Sequence, residues 1–188
     1  MTQILAALTL VMMVAIVVTR VRLLRSAGTQ AMHFGRIDKT DFLIPPVALL
    51  YFYMVFADAF HLPWASTQTL FYFSWLSWVG VFLCGAGLTV LVLSLVSFGK
   101  SFRVGIDVEH PDRLVTRGLF AFSRNPMYVA FGLVLLGQFL VFPHWIRLLY
   151  FVAAVLLFHR QVLREEGFMR QHYGDEFADY CRRVPRYF

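Results

Sequence analysis

The stretch LFYFSWLSWVGVFLCGAGLTVLVLSLVSF, Leu70 to Phe98, runs for 29 residues without one charged side chain. As a single helix it would be about 43 Å long, more than the roughly 30 Å hydrocarbon core of a bilayer requires. Such a helix must tilt or emerge from the membrane. The run does not alternate apolar with polar residues, so a helix that satisfies its own backbone in lipid is expected rather than a strand of a barrel. Gly80, Gly85, Ala86 and Gly87 offer a small-residue face on which a neighbouring helix can pack closely.

The rest of the chain has the same character. Of its 188 residues 59% are hydrophobic and 20 are Phe, and the mean hydropathy is +0.65, which is too apolar for a soluble domain of this size. The net charge of +6 does not point to nucleic acid, because the basic residues stand beside apolar segments instead of interleaving with a polar binding face. Cys84 lies inside an apolar run and Cys181 near the C-terminus, so neither a disulfide nor a cysteine metal site is expected.

Four further apolar runs flank the central one. Ile4 to Val18 precedes Arg20, Arg22 and Arg25; a cleavable signal would carry its charge ahead of the apolar region, so a retained helix is predicted. Ala27 to Asp41 reads as a polar loop. Phe42 to Leu62 opens on Pro45-Pro46, tolerated in a first helical turn. Asp58 and His61 share one face near its far end, beside the interfacial pair Pro63-Trp64, and read as a structural polar cap more than as a site. Met127 to Phe142 and Trp145 to Phe158, joined by Pro143-His144, form an antiparallel hairpin.

The basic residues test this layout. The first loop holds five, the second none, the third five, the hairpin tip only Arg147 and the tail six, so sixteen of seventeen fall on one side of five helices. The positive-inside rule then sets the N-terminus outside and the C-terminus in the cytoplasm. The expected fold is an all-α integral membrane protein of five transmembrane helices, the last two a hairpin, with short C-terminal helices closing its cytoplasmic side. Residues 1–98 make a three-helix membrane region and residues 99–188 a second region of loop, helical hairpin and amphipathic tail.

In the tail, Met169, Tyr173, Phe177, Tyr180 and Val184 recur at helical spacing, an amphipathic signature. Gly174 is expected to end one short helix and Asp175 to cap the next, both lying on the cytoplasmic face. The polar stretch Gly99 to Asn125 is long enough to be functional or disordered. The hairpin brings its end beside the start of the tail. Arg117, Gly118, Arg124, Asn125 and Tyr128 thereby meet His159, Arg160, Arg164, Glu165, Glu166 and Arg170. Glu166 falls on the apolar stripe, where a carboxylate needs a partner; it is either a ligand or half of an exposed pair with Arg170. Arg124 either marks the membrane interface or belongs to the site.

The chain has no G-x-S-x-G elbow, H-E-x-x-H, P-loop or dinucleotide fingerprint, and its six histidines lack metal-ligand spacing. It does carry Arg124-Asn125-Pro126-Met127-Tyr128, then Glu165-Glu166, then Tyr173-Gly174-Asp175-Glu176-Phe177, Tyr180 and Arg183-Val184-Pro185, with Leu114 to Phe120 upstream. In that order the motifs resemble the isoprenylcysteine carboxyl methyltransferase family, related to the membrane phospholipid methyltransferases, over about residues 100 to 188.

The resemblance implies an S-adenosylmethionine pocket on the cytoplasmic side, roofed by the tail, with a lipophilic substrate carrying a carboxylate, thiol or amine entering from the bilayer. Gly118, Arg124, Asn125, Pro126, Tyr128, Glu165, Glu166, Tyr173 and Tyr180 would meet the cofactor. Glu166 would act with Arg160 or Arg164 at the substrate, His159 being a further candidate. No metal is implied, and the partners expected are membrane lipids and the substrate. The family's motif histidine is Asn125 here, which can donate and accept hydrogen bonds but cannot titrate. Two other readings stand beside this one. Sterol-type reductases, which use NADPH, have a similar motif and terminal segment. A non-catalytic membrane protein could keep the same scaffold to bind a lipid or partner. A prokaryotic cytoplasmic membrane is the expected location.

Overall fold

The computed structural model describes residues 1–26, 44–62, 69–98 and 114–188. The expected loop 27–41, Pro63-Trp64 and the basic stretch 99–113 lie outside them. The described chain is helical: α1 (Thr2–Ser26), α2 (Ile44–Ala59), α3 (Ser74–Phe98), a 3-10 turn (Gly118–Ala121), α4 (Pro126–Val141) and α5 (Trp145–Arg183). α1, α3 and α5 are long and apolar enough to cross a membrane, whereas α2 and α4 have 16 residues each. With these helices the chain is a multi-pass membrane protein. The central run is shorter as a helix than its 29 apolar residues suggested, because α3 begins only at Ser74.

The prolines act where their missing N–H costs nothing. Pro45 and Pro46 open α2 and Pro126 opens α4, with φ preset for the helix. The closest packing is between α3 and α4. A Cβ on Gly80 would sit 2.6 Å from the Gly137 carbonyl oxygen, and one on Gly137 only 2.5 Å from that of Gly80, so only hydrogen lets the two backbones touch. Gly87 faces Ala130 and Val134 in the same seam, but Gly85 looks into open space. The small-residue face of α3 is therefore real, and narrower than the four expected positions.

Polar groups inside the bundle are tied across helices. Gln138 of α4 donates from Nε2 to the Ala6 carbonyl (2.6 Å) and the Thr9 hydroxyl (3.0 Å) of α1. At the outer end of the hairpin, the buried Arg147 donates to the carbonyls of Met54 (3.0 Å) and Phe142 (3.2 Å) and to the Asp58 carboxylate. Its guanidinium stacks over the Phe142 ring, 4.4 Å from the centroid, and His144 lies 3.7 Å from the same carboxylate. Asp58 is the polar cap anticipated, with a partner: the one basic residue that breaks the charge asymmetry is the one that neutralises it. His61 is exposed and takes no part.

α5 is the longest element at 39 residues, and its continuous part up to Tyr173 is about 43 Å long as a straight helix, more than the roughly 30 Å of a hydrocarbon core. Gly174 interrupts it with φ 52° and ψ −122°, a conformation open to glycine and strained for side-chain-bearing residues. The tail thus has one separate short helix beyond Gly174. The other expected short helix is the continuation of the spanning helix.

Candidate functional site

Three segments converge at the start of α4. The loop Ser123 to Asn125 is buried or nearly so and lies against the last residues of the chain. The Arg124 amide donates to the Pro185 carbonyl (3.0 Å), and the Ser123 hydroxyl reaches the Arg186 carbonyl at 3.5 Å. Asn125 is the N-cap residue of α4, yet its side chain makes no capping bond. Its amide Nδ2 donates instead to Glu166 Oε1 and to the Arg186 carbonyl, each at 3.2 Å.

Glu166 is the hub. Its side chain is only 7% exposed, on the stripe of α5 that the apolar spacing assigns to the interior. Arg124 Nη1 approaches Oε1 to 3.3 Å, while Arg186 donates to Oε2 from Nε (3.1 Å) and Nη2 (2.9 Å). A buried carboxylate is retained only where such partners replace water. The exposed pairing with Arg170 is not formed; Arg170 stays on the outer face. The bond to Glu166 pushes the Arg186 guanidinium pKa further up. The Arg124 guanidinium also contacts the Cys181 sulfur, and its Nε is buried without a partner.

Glu165 sits one residue before the hub and, among the described residues, is held by two neutral donors, the Tyr128 hydroxyl (2.6 Å) and the Gln161 amide (3.0 Å). It lies beyond the apolar part of α5, which ends at Phe158, and burial raises its pKa above the ordinary carboxylate value, the two hydrogen bonds opposing that rise. Tyr128 packs on Phe158, and Phe158 on Phe131, with ring centroids 5.7 and 5.9 Å apart, an aromatic seam between α4 and α5. His159 Nδ1 and the Tyr187 hydroxyl are 2.9 Å apart at its edge.

The remaining candidates divide clearly. Gly118 (φ 65°) packs its Cα against Ser97 of α3, which also accepts the Leu119 amide at 3.2 Å. Pro126 is buried as the first residue of α4. Tyr180 donates to the Phe120 carbonyl at 2.6 Å, and burial lifts its hydroxyl to a pKa of about 12. Tyr180, Phe177 and Val184 form a small core onto which Tyr173 and Met169 pack; Phe177 is fully buried there. Arg117 is exposed, and so are Arg160 and Arg164, which lie off the Glu166 stripe; His159, seven residues before Glu166, lies on it.

Arg186, Gln161 and Cys181 were not named as site residues by the sequence. Only Arg186 carried a usable signal, a charged residue directly after the Arg183-Val184-Pro185 motif, within reach of the same loop.

A model of the phospholipid methyltransferase family matches residues 75–176, more than half of the chain, and the chain belongs to that family. It is similar to a probable protein-S-isoprenylcysteine O-methyltransferase of Oryza sativa subsp. indica, 27% identical over 111 residues, covering 57% of this chain and 58% of that one. With the protein-S-isoprenylcysteine O-methyltransferase of Schizosaccharomyces pombe it shares 30% identity over 107 residues, 55% of this chain and 45% of the relative. The Rattus norvegicus protein of the same name is 29% identical over 115 residues, 60% and 40% of the two chains. The chain thus spans about half the length of these curated relatives.

Proposed function

We propose that the chain is an integral membrane methyltransferase that uses S-adenosylmethionine and acts on a lipophilic substrate bearing a carboxylate, thiol or amine. The observation that carries this reading is the junction of Arg124, Asn125, Glu166 and Arg186, where segments far apart in the sequence become one charged contact around a buried carboxylate. The donor set fits a zwitterionic amino-acid head group: among the described residues a guanidinium nitrogen of Arg124 is buried and unsatisfied, and the hydrogen bonds to Glu165 come from neutral groups.

When bound, S-adenosylmethionine supplies a methyl group on a sulfonium, ready for in-line displacement. The chain's own work is then positioning and exclusion of water, with little need of acid–base chemistry. Glu165 would receive the ammonium of the donor's head group. Tyr128 holds that carboxylate in place and, with Phe158 and Phe131, offers aromatic faces to a cation and an apolar wall toward the bilayer. Tyr173 and Tyr180 support the tail as its packing core. His159, on the Glu166 stripe, is better placed toward the substrate than Arg160 or Arg164.

The site belongs to the half comprising residues 99–188. Five crossings are proposed, with α2 and α4 completing their spans through flanking residues, the N-terminus outside and the site on the cytoplasmic face, where the basic residues gather. The test is calorimetry on purified protein with S-adenosylmethionine and, separately, NADPH. Binding of the first and not the second is expected; NADPH binding alone would replace this reading with a reductase, and binding of neither would remove both.

A further inference from the structure

Trp75 and Trp145 come from different helices, yet the fold sets them at one level. α3 and α4 run antiparallel, with Gly80 against Gly137 and Gly87 against Ala130. Trp75, five residues before Gly80, is therefore level with Phe142, five residues after Gly137, where α4 ends. The turn that follows is tied to the chain entering α3: the Leu70 amide donates to the Pro143 carbonyl at 2.7 Å, and Thr69 pairs with His144 in an antiparallel bridge. Trp145, the first residue of α5, comes next.

Both indoles face outward. Trp75 is 66% exposed and Trp145 58%, with exposed Tyr72 just ahead of α3 and exposed Trp78 one turn into it. The charged side chains described at this end do the opposite, Asp58 and Arg147 turning inward onto each other. At the far end of the helices Arg22, Arg117, Arg160 and Arg164 are exposed, and no tryptophan stands there among the described residues. An indole joins an apolar body to one N–H donor, which suits the layer of lipid carbonyls between hydrocarbon and water.

We propose that Trp75 and Trp145, with Tyr72 and Trp78 beside them, form an anchoring surface for the carbonyl and headgroup layer of the leaflet that meets the hairpin turn. The partner is a zwitterionic lipid surface gripped by amphipathic rings, and no anionic lipid is required. The surface depends on the membrane insertion of the helices and not on the methyl-donor reading.

Depth-dependent quenching of tryptophan fluorescence in phosphatidylcholine vesicles tests it. One variant keeps only Trp75 (Trp64→Phe, Trp78→Phe, Trp145→Phe) and a second only Trp145 (Trp64→Phe, Trp75→Phe, Trp78→Phe). A deep reference carries Phe82→Trp with every natural tryptophan changed to Phe. Phe82 is exposed on α3, about 10 Å along the helix from Trp75. The quenchers are phosphatidylcholine brominated near the carbonyl end of an acyl chain, the same lipid brominated near the methyl end, and aqueous iodide.

Trp75 and Trp145 should each be quenched at least about twofold more by the shallow bromines than by the deep ones, and the Phe82→Trp reference in the reverse order. If the variants do not fold, the unaltered protein carries the test, and its summed emission must show the shallow preference. Stronger quenching of Trp75 and Trp145 by the deep bromines would place them in hydrocarbon, quenching by iodide alone would place them in water, and protection from all three quenchers would mean that a second protein copy covers them. Each of these three results overturns the proposal.

Discussion

At one end of α5 a single carboxylate meets a single buried guanidinium; at the other a single carboxylate meets two. Arg147 is 2% exposed and adds two backbone carbonyls and an aromatic face to Asp58. The guanidinium is enclosed, with only its Nε left without a hydrogen-bond partner among the described residues, and the pair holds α2, the hairpin turn and α5 together. Glu166 holds three segments as well, but among the described residues it faces two guanidiniums, one of them, Arg186, 37% exposed. The same two residue types make a fastener in one place and a candidate site in the other. The ratio of charges and the access of solvent distinguish them.

The comparison can be broken most forcefully at its sealed end. Asp58→Ala strands the buried Arg147 and should cost about 3–5 kcal/mol of stability, read as a lower melting temperature in detergent. Ligand affinity in the fraction that stays folded should not change; a parallel loss of affinity would mean that the two ends are not separate devices. At the open end, Glu166→Ala should weaken S-adenosylmethionine at least tenfold, about 1.4 kcal/mol, by releasing both guanidiniums. Unchanged affinity in a folded protein would reduce Glu166 to packing.

A smaller effect follows from Glu165. Its pKa is raised by burial, so the folded state holds this proton more tightly than the unfolded chain does, and this group favours the fold below its unfolded pKa and ceases to as pH rises through its folded one. The ionised form needed to meet an ammonium accumulates only over that same rise. Donor affinity should therefore climb with pH above the ordinary range of about 4.3, and Glu165→Gln should flatten this limb. Arg170→Ala should do least, within about 0.5 kcal/mol in stability, since Arg170 is exposed and Glu166 is committed elsewhere.

How far the sequence could be read depended on the range of the forces involved. Helices follow from local apolar runs, so the hairpin, the proline starts of α2 and α4 and the break at Gly174 were all legible. Spacing alone put Glu166 on the buried stripe. The partners of Glu166 were not legible, because Arg124 and Arg186 are 42 and 20 positions away and only the tertiary fold selects among the chain's many arginines. The same holds for Asp58 and Arg147, 89 positions apart, although a lone basic residue on the sparsely charged side was already conspicuous. The length of α5 past the membrane was misread as two short helices because amphipathic periodicity marks a face, and says nothing of whether the preceding helix has stopped.

α5 also has a metric property. Arg147 and Glu166 stand nineteen positions apart on one uninterrupted stretch of it, about 28 Å along a straight helix, close to the roughly 30 Å thickness of a hydrocarbon core. The two ion pairs are thus graduations on a single rod, apolar from Leu148 to Phe158 and carrying His159, Arg160, Arg164 and Glu165 beyond. Neither pair can move toward the other unless that helix bends or breaks, so the rod is a ruler that keeps the fastened end and the candidate site at a set distance.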